Sequence, residues 1–556
     1  MSLGGACSPT SARSAWGNHP DHDERAMRTT RRKSIVGPVS ALALGLALVI
    51  GAGATQAQEA LRTQAELSGF SEYTTYDSMM TYLGRVQASS TEMRLGIYGH
   101  SSEGRALPYA IFSRPALTQP WEAWALGRPI LALAANVHGG ERTLRESVLI
   151  LTRELATPGT PMNALLDRLT ILVVPQINPD GFSATPAPTR GNLQGVDLNR
   201  DYMKLEQPEI QAYVQNIILK WAPHLFIDGH SGGADPYNLN YQCPSHSTPD
   251  ARITAVCDEL IFPAVDRKLA TEDYIGWYYM GGNDTRWYVG GSDPRIGRNY
   301  GGFVNSVGIL FESPVGQPVQ ESVRSGLLGY QAVMEWASEN VDLLLRTVRE
   351  ARLEAIDLGA GPRGDVPIEA EYAPEPYPVE YLLASGPPGA QELREIVSDS
   401  LMKRPVTTLA RPRPWAYVLP QDAEQAVELL RRHSVQVEEL REPVEVTVEA
   451  YTIGNVSYEV AYDHDAATKL DVVGTVTRTV TLPMGAYIVR TGQMQGRVVA
   501  HLLEAETRDG VVYWNRMDAW IPTSEVEAFR AGRGEAPIFP IYKIMDPTPL
   551  PTLLLP

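Results

Sequence analysis

Four stretches of this chain, 129–137, 169–175, 224–228 and 307–312, are continuous, largely apolar runs rather than alternations. A strand exposed on one face alternates apolar and polar residues, whereas one buried on both faces reads as such a run. Between the runs, Leu144, Val148, Leu151 and Leu155 recur at helical spacing, and 207–221 carries a similar stripe. Strands alternating with helices predict an α/β domain, a mixed and largely parallel sheet flanked by helices, over 58–358. A length of 556 residues exceeds what one core supports. The run Gly359-Ala360-Gly361-Pro362, followed by the prolines at 374, 376 and 378, predicts a linker over 359–378. Beyond it, 415–419, 421–433 and 435–437 read as strand, helix and strand. Segments 444–452 and 475–482 alternate as half-exposed antiparallel strands do. An α+β or β-rich accessory domain is expected over 379–556.

Acidic residues outnumber basic ones, 65 to 48, for a net charge of −17, and this argues against a nucleic-acid partner. The N-terminus departs from this pattern. Arg28, Arg31, Arg32 and Lys33 precede an apolar run from Ile35 to Ala54, and Thr55-Gln56-Ala57 follows. A positive segment, an apolar segment and a small-residue exit describe an export leader over 1–57, with Met27 a second candidate start. The alternative is an uncleaved anchor. Once the leader is removed, no stable membrane insertion is expected, and the protein is expected in a periplasmic or secreted location. Of three cysteines, Cys243 and Cys257 remain in the mature chain. Either they form a disulfide, worth about 3 kcal/mol by loop entropy, or they are buried thiols.

Four clusters carry chemistry. His138 and Glu141 sit three apart where an apolar strand turns into a helix, so an imidazole and a carboxylate can face a common point. His230 follows a buried strand, where open α/β sheets place ligands. With His138 and Glu141 it makes a three-ligand zinc set that leaves a fourth position open. Glu312 closes the last apolar run and is either a buried structural carboxylate or a general base. Asn199-Arg200 suits a carboxylate, because the guanidinium fork matches two oxygens, and Arg190 upstream can stabilise an oxyanion. Taken singly, each has an ordinary explanation as a surface contact, a core histidine or a salt bridge. His433, His464 and His501, each isolated, read as core or surface residues.

In order along the chain, His138-Gly139-Gly140-Glu141, Asn178-Pro179-Asp180-Gly181-Phe182, Asp197-Leu198-Asn199-Arg200, His230 and Glu312 resemble the zinc carboxypeptidase family typified by the pancreatic enzymes. The resemblance covers roughly residues 70–330 and includes a GxSxEGRxxP-like stretch over 99–108. It implies one zinc ion per chain on His138, Glu141 and His230, with Glu312 as general base. It further implies Asn199 and Arg200 on the substrate's terminal carboxylate and Arg190 on the oxyanion. Zinc-activated water would then attack the last peptide bond of a peptide or peptide-like substrate with a free C-terminal carboxylate. The family's mobile tyrosine has four candidates, Tyr278, Tyr279, Tyr288 and Tyr300. Tyr300 is assigned the role, since Arg298-Asn299-Tyr300 leads into the Glu312 strand.

Three other readings compete. Gly229-His230-Ser231-Gly232-Gly233 matches the GxSxG of serine hydrolases, but 234–238 does not read as the helix that motif requires. An aspartoacylase-like deacylase shares similar zinc and DLNR elements. A non-catalytic peptide-binding relative would retain the shape without the turnover.

Overall fold

The computed structural model describes residues 61–556 except 284, 387–391, 399 and 462. The expected leader, with Cys7 and Met27, lies outside the described residues. The strands of the first half are β1 (Met93–His100), β2 (Ala106–Phe112), β3 (Ile130–Ala135), β4 (Thr170–Val174), β5 (Leu225–Gly233), β6 (Leu239–Gln242), β7 (Gly276–Tyr278), β8 (Met280–Asn283), β9 (Arg286–Val289) and β10 (Val307–Pro314). Eight of them form one mixed sheet in the order β1-β2-β4-β3-β5-β10-β6-β7. Its centre, β4-β3-β5-β10, is parallel, and β1, β2 and β6 add antiparallel pairings.

The continuous, largely apolar runs follow from burial on both faces. Every residue of β3 and β4 is buried, and side chains divide by parity between two cores. Leu131, Leu133 and Ala135 join Ile171, Val173, Ile227, Ile309 and Phe311 under the helices Thr143–Ala156 and Val319–Glu339. Ile130, Ala132 and Ala134 join Leu172, Val174 and Phe226 on the opposite face. The helical stripe Leu144, Val148, Leu151 and Leu155 is buried against the sheet as its spacing predicts.

The second core continues into the C-terminal region, taking in Tyr417, Leu419, Leu430, Val489, Val499 and Phe539. The strands there are β11 (Asp365–Pro374), β12 (Val379–Ser385), β13 (Glu392–Ser398), β14 (Leu401–Pro412), β15 (Ala416–Leu419), β16 (Glu438–Leu440), β17 (Val444–Glu459), β18 (Ala467–Leu482), β19 (Tyr487–Arg490), β20 (Ile538–Ile544) and β21 (Thr552–Leu554). Seven form the sheet β18-β17-β20-β15-β19-β16-β21, backed by the helix Glu424–Arg432. β12 and β13 form a separate hairpin.

The segment read as a linker is not an open tether. β11 lies inside it and pairs with β14, and β14 pairs with β9 of the first half, giving a second sheet β11-β14-β9-β8. The prolines that suggested a linker are accommodated by register shifts beside Pro367 and Pro374, where a missing N–H costs no ladder bond. Cys243 and Cys257 are joined by a disulfide, Cα to Cα 6.0 Å, tying β6 to the helical segment that follows. No helix among the described residues is long and apolar enough to cross a membrane.

Of the three isolated C-terminal histidines, two are core residues. His433 accepts from the Tyr300 hydroxyl at 2.9 Å and donates to Met203 O, and His501 lies 2.6 Å from Arg508 O. His464 instead pairs with Glu206 at 3.0 Å. Burial pushes both His433 and His501 down to about 4. The unfolded chain, titrating near 6.5, takes up these protons first, so this stability is fully present above that pH and is lost as pH falls toward 4. The expected result is a melting temperature that falls more steeply between pH 6.5 and 4 in wild type than in His433→Gln, by about 1.4 kcal/mol per pH unit for the proton removed. Parallel profiles in calorimetry across that window would contradict it.

Candidate metal centre and active site

The turn that carries His138 and Glu141 is held by three devices. β3 ends at Ala135, and Asn136 adopts φ 61° to reverse the chain, a conformation asparagine tolerates better than most residues. Its side-chain amide donates to the carbonyls of His138 (2.9 Å) and Glu141 (2.8 Å), while its oxygen accepts from Gln176 at 3.0 Å. Gly139 lies against the Asn178–Phe182 segment so closely that a Cβ would sit 2.2 Å from the Gly181 carbonyl carbon. The pairing of HGGE with NPDGF is therefore steric. Gly139 and Gly140 N–H donate to the carbonyls of Arg190 and Thr189, which brings the Arg190 segment alongside. Asn136→Ala removes the amide that donates to the carbonyls of His138, Gly139 and Glu141. Weaker zinc binding by roughly 10- to 100-fold is expected in chelator competition, with stability lower by about 1–3 kcal/mol.

His138 Nδ1 lies 2.8 Å from Glu141 Oε1, His230 Nδ1 lies 2.9 Å from Glu141 Oε2, and the two Nδ1 atoms are 3.1 Å apart. One donor atom from each residue falls within 4.8 Å of the others. Behind them, His138 Nε2 is 3.0 Å from Asp197 Oδ1, and His230 Nε2 is 3.0 Å from Asp228 Oδ2. The Asp197 carboxylate hydrogen-bonds His138 Nε2 and so turns that ring's Nδ1 toward Glu141, the arrangement in which an imidazole holds zinc, while Asp228 sets its negative charge beside His230 Nε2. The donor set thus fits a zinc ion with one open position. The charges agree. Burial works to raise the Glu141 carboxyl, but the two histidines hold it far below the carboxylate range. Burial likewise opposes charge on His230, but Asp228 and Glu141 hold it well above its usual value.

Strand register places the fourth group. β5 and β10 pair in parallel with Glu312 opposite His230, so both side chains leave the same face at the carboxyl end of the sheet. Glu312 is 7% exposed, and its Oε2 has no hydrogen-bond partner among the described residues. Burial pushes it up to about 8, against the pull of His230 and with the negative charge of Glu141 adding. Gly232 clears space for it, since a Cβ there would come within 3.0 Å of Glu312 Oε2.

Asp197 ties the remaining pieces together. Its Oδ1 meets His138 and accepts from Asn199 N–H at 2.9 Å, and its Oδ2 accepts from Arg190 Nε at 3.0 Å. Its own N–H donates to Asp463 Oδ2 at 2.7 Å, a contact from the tip of the β17–β18 hairpin. Arg190, with 54% of its side chain exposed, also reaches Glu141 Oε1 at 3.3 Å. Asn199 is buried. Its Oδ1 accepts from Gly297 N–H (2.8 Å) and its Nδ2 lies 3.3 Å from His230 Nε2, so the amide braces the site from within. Arg200 Nη1 donates to Asn199 O at 2.9 Å.

The structure gathers His138, Glu141, His230, Glu312, Arg190, Asn199 and Arg200 at one place and leaves Tyr300 out. Tyr300 is fully buried in the second core, packed on Tyr202 with its hydroxyl on His433. Helix Gly297–Phe303 turns it away from the strand that it precedes in sequence. Tyr279 occupies the site instead. It is half-buried just beyond β7, and Glu312, then burial, pushes its hydroxyl up to about 12, with Glu141 and Arg190 also acting on it. Tyr278 donates to Asp258, and Tyr288 is exposed. Sequence reasoning missed Asp228 as a support, although it stands two residues before His230 on one strand and so shares its face. Ser231 is not a nucleophile elbow. β5 runs on through Gly233, and Ser231 Oγ meets Thr143 Oγ1 (2.7 Å) and Ser313 Oγ (2.9 Å) rather than a histidine.

A two-histidine, one-glutamate cluster at the carboxyl end of the central strands of an α/β sheet defines a metallohydrolase. Residues 79–288 match the zinc carboxypeptidase family model, Peptidase_M14, and the chain carries a zinc-carboxypeptidase domain. It is 24% identical to carboxypeptidase 2 of Trichophyton rubrum over 462 residues, 79% of this chain and 84% of the relative. It is 28% identical to human carboxypeptidase D over 186 residues, 31% of this chain and 13% of the relative. A metallo-carboxypeptidase structure from Burkholderia cenocepacia aligns with 48% of this chain and 69% of its own, at 20% identity and a TM-score of 0.39. The chain is a metallocarboxypeptidase-type hydrolase.

Proposed function

We propose that the protein removes the C-terminal residue from peptides, holding one zinc ion per chain on His138, Glu141 and His230. When bound, zinc supplies a Lewis acid that polarises a carbonyl and lowers the pKa of water toward about 7. Glu312 takes the proton from the attacking water and returns it to the leaving amine. A carboxylate can serve both steps only if it is unpaired and its proton affinity is raised toward neutrality. Arg190, exposed beside Glu141, stabilises the oxyanion. Arg200, braced through Asn199, receives the terminal carboxylate, and Tyr279 closes over the substrate in the role first assigned to Tyr300. The observation that carries this reading is the β5–β10 register, which sets an unpartnered Glu312 carboxylate next to His230.

The domain division, with catalysis over 58–358 and an accessory region over 379–556, belongs to the same proposal, as does export through the leader to a periplasmic or secreted location. N-terminal sequencing of protein recovered outside the cytoplasm is expected to begin after Ala57. The activity is tested with a mixed panel of peptides and of N-acyl amino acids. Release of single C-terminal residues from peptides supports the proposal. Release from N-acyl amino acids alone points to a deacylase, and retention of peptide without release points to a binding protein.

A further inference from the structure

Arg298 is 3% exposed, and its Nε has no hydrogen-bond partner among the described residues. The side chain makes one hydrogen bond among the described residues, from Nη2 to Gly291 O at 2.5 Å. Five other described arginines are buried. Arg145, Arg153, Arg295 and Arg497 each have a carboxylate within 3.2 Å. Arg298 and Arg413 have none in ion-pair range, and only Arg298 stands at the candidate active site.

Its position follows from three constraints. The helix Gly297–Phe303 begins where Gly297 N–H donates to Asn199 Oδ1, so Arg298 enters beside the Asn199-Arg200 turn. Arg298 Nη2, Gln242 Oε1 and Tyr279 Cδ1 converge on Gly290, where a Cβ would meet all three within 3.2 Å. β6 pairs with β10 so that Gln242 stands opposite Leu310, on the same face as Glu312 and one pleat earlier. The guanidinium therefore lies beside Gln242, whose backbone partner Leu310 stands two residues, about 7 Å, before Glu312 along β10. The charged and titratable groups acting on it are Tyr372, Tyr279, Arg200 and Glu312, and burial lowers its basicity. The turn that holds it is rigid. Gln242 bonds Gly290 at both N–H and carbonyl, and Ser245, Asn299 and Arg298 all donate to Gly291 O.

A guanidinium this deeply buried without a carboxylate is desolvated at a cost, and that cost is recovered when the partner arrives. Glu312, the carboxylate among the leading groups acting on it, carries the proton transfers. We infer that Arg298 recognises the side chain of the substrate's last residue, and that the protein acts on peptides ending in glutamate or aspartate. This rests on the proposed carboxypeptidase activity. Arg200 takes the α-carboxylate at the mouth of the site, and Arg298 takes the side-chain carboxylate below it. A lysine or arginine ending would meet two guanidinium groups, and an apolar ending would leave Arg298 buried and unpaired.

The test measures kcat/KM on the zinc-loaded full chain for blocked peptides that differ only in the last residue: Glu, Asp, Gln, Asn, Leu or Lys. Glu and Asp endings are expected to exceed their amides by roughly 10²-fold or more, as when a site built for a polar group meets an analogue lacking the full interaction. Arg298→Gln is expected to collapse the Glu-to-Gln ratio toward unity. Arg298→Lys keeps the charge but loses the fork and should fall between. If either variant fails to fold by circular dichroism, the wild-type panel alone decides. Equal or better cleavage of Gln, Leu or Lys endings by wild type overturns the inference, as does an unchanged preference in folded Arg298→Gln. No release from any ending overturns the carboxypeptidase proposal itself, and this inference with it.

Discussion

Glu312→Gln is expected to lower kcat by about 10²- to 10⁴-fold, the usual worth of a positioned general base, while zinc content stays at the wild-type level. The substitution keeps the shape of the side chain and touches none of the three donor atoms. Its effect on stability separates a catalytic role from a structural one. Glu312 Oε2 has no hydrogen-bond partner among the described residues, and burial raises the carboxyl to about 8, so the folded protein bears a desolvation cost at this position. A neutral amide relieves part of that cost. The melting temperature of the metal-free variant should therefore be equal to or above that of metal-free wild type. A melting temperature several degrees lower would mean that Glu312 holds the fold together, and the loss of turnover would no longer report on proton transfer.

A chain ending at Arg352 is expected to be insoluble or to lack a cooperative transition. It removes Tyr417, Leu419, Leu430, Val489, Val499 and Phe539 from a core they share with β3, β4 and β5. It also strips Asp509 from Arg295, a pair 2.9 Å apart with both side chains within 3% of full burial. Breaking one such pair costs about 3–5 kcal/mol, against a total domain stability of roughly 5–15 kcal/mol. The loss also reaches the site, since Asp463 accepts from the N–H of Asp197, which positions His138, Arg190 and Asn199. A soluble monomer ending at Arg352 with wild-type release activity would contradict this and make the C-terminal region a separable module.

The clusters that were legible in the sequence are those in which the motif itself sets the geometry. That His138 and Glu141 lie together was legible because a strand end, two glycines and a helix start leave one way to bring them together. That His230 and Glu312 lie side by side was legible because each closes an apolar run, and parallel strands of similar burial end at the same edge. What was not legible depends on pairing between distant segments. Tyr279 and Arg298 reach the site through the β8–β9 hairpin and the Gly290-Gly291 turn, held in place by β14 more than a hundred residues later. Proximity in sequence to Glu312 favoured Tyr300, but a single helical turn carries that ring into the core. The linker reading failed for a related reason. Proline and glycine marked β11 as irregular, and only its ladder with β14 shows that bulges, not an open loop, accommodate them.

The central claim is tested most directly by stripping the purified mature chain of metal and titrating zinc back while following release of single C-terminal residues from the peptide panel. The account predicts no release from the stripped protein and full recovery at one equivalent of zinc per chain, with His230→Ala failing to recover. Release that survives stripping would contradict it, as would stoichiometric zinc binding without release of a C-terminal residue from any peptide.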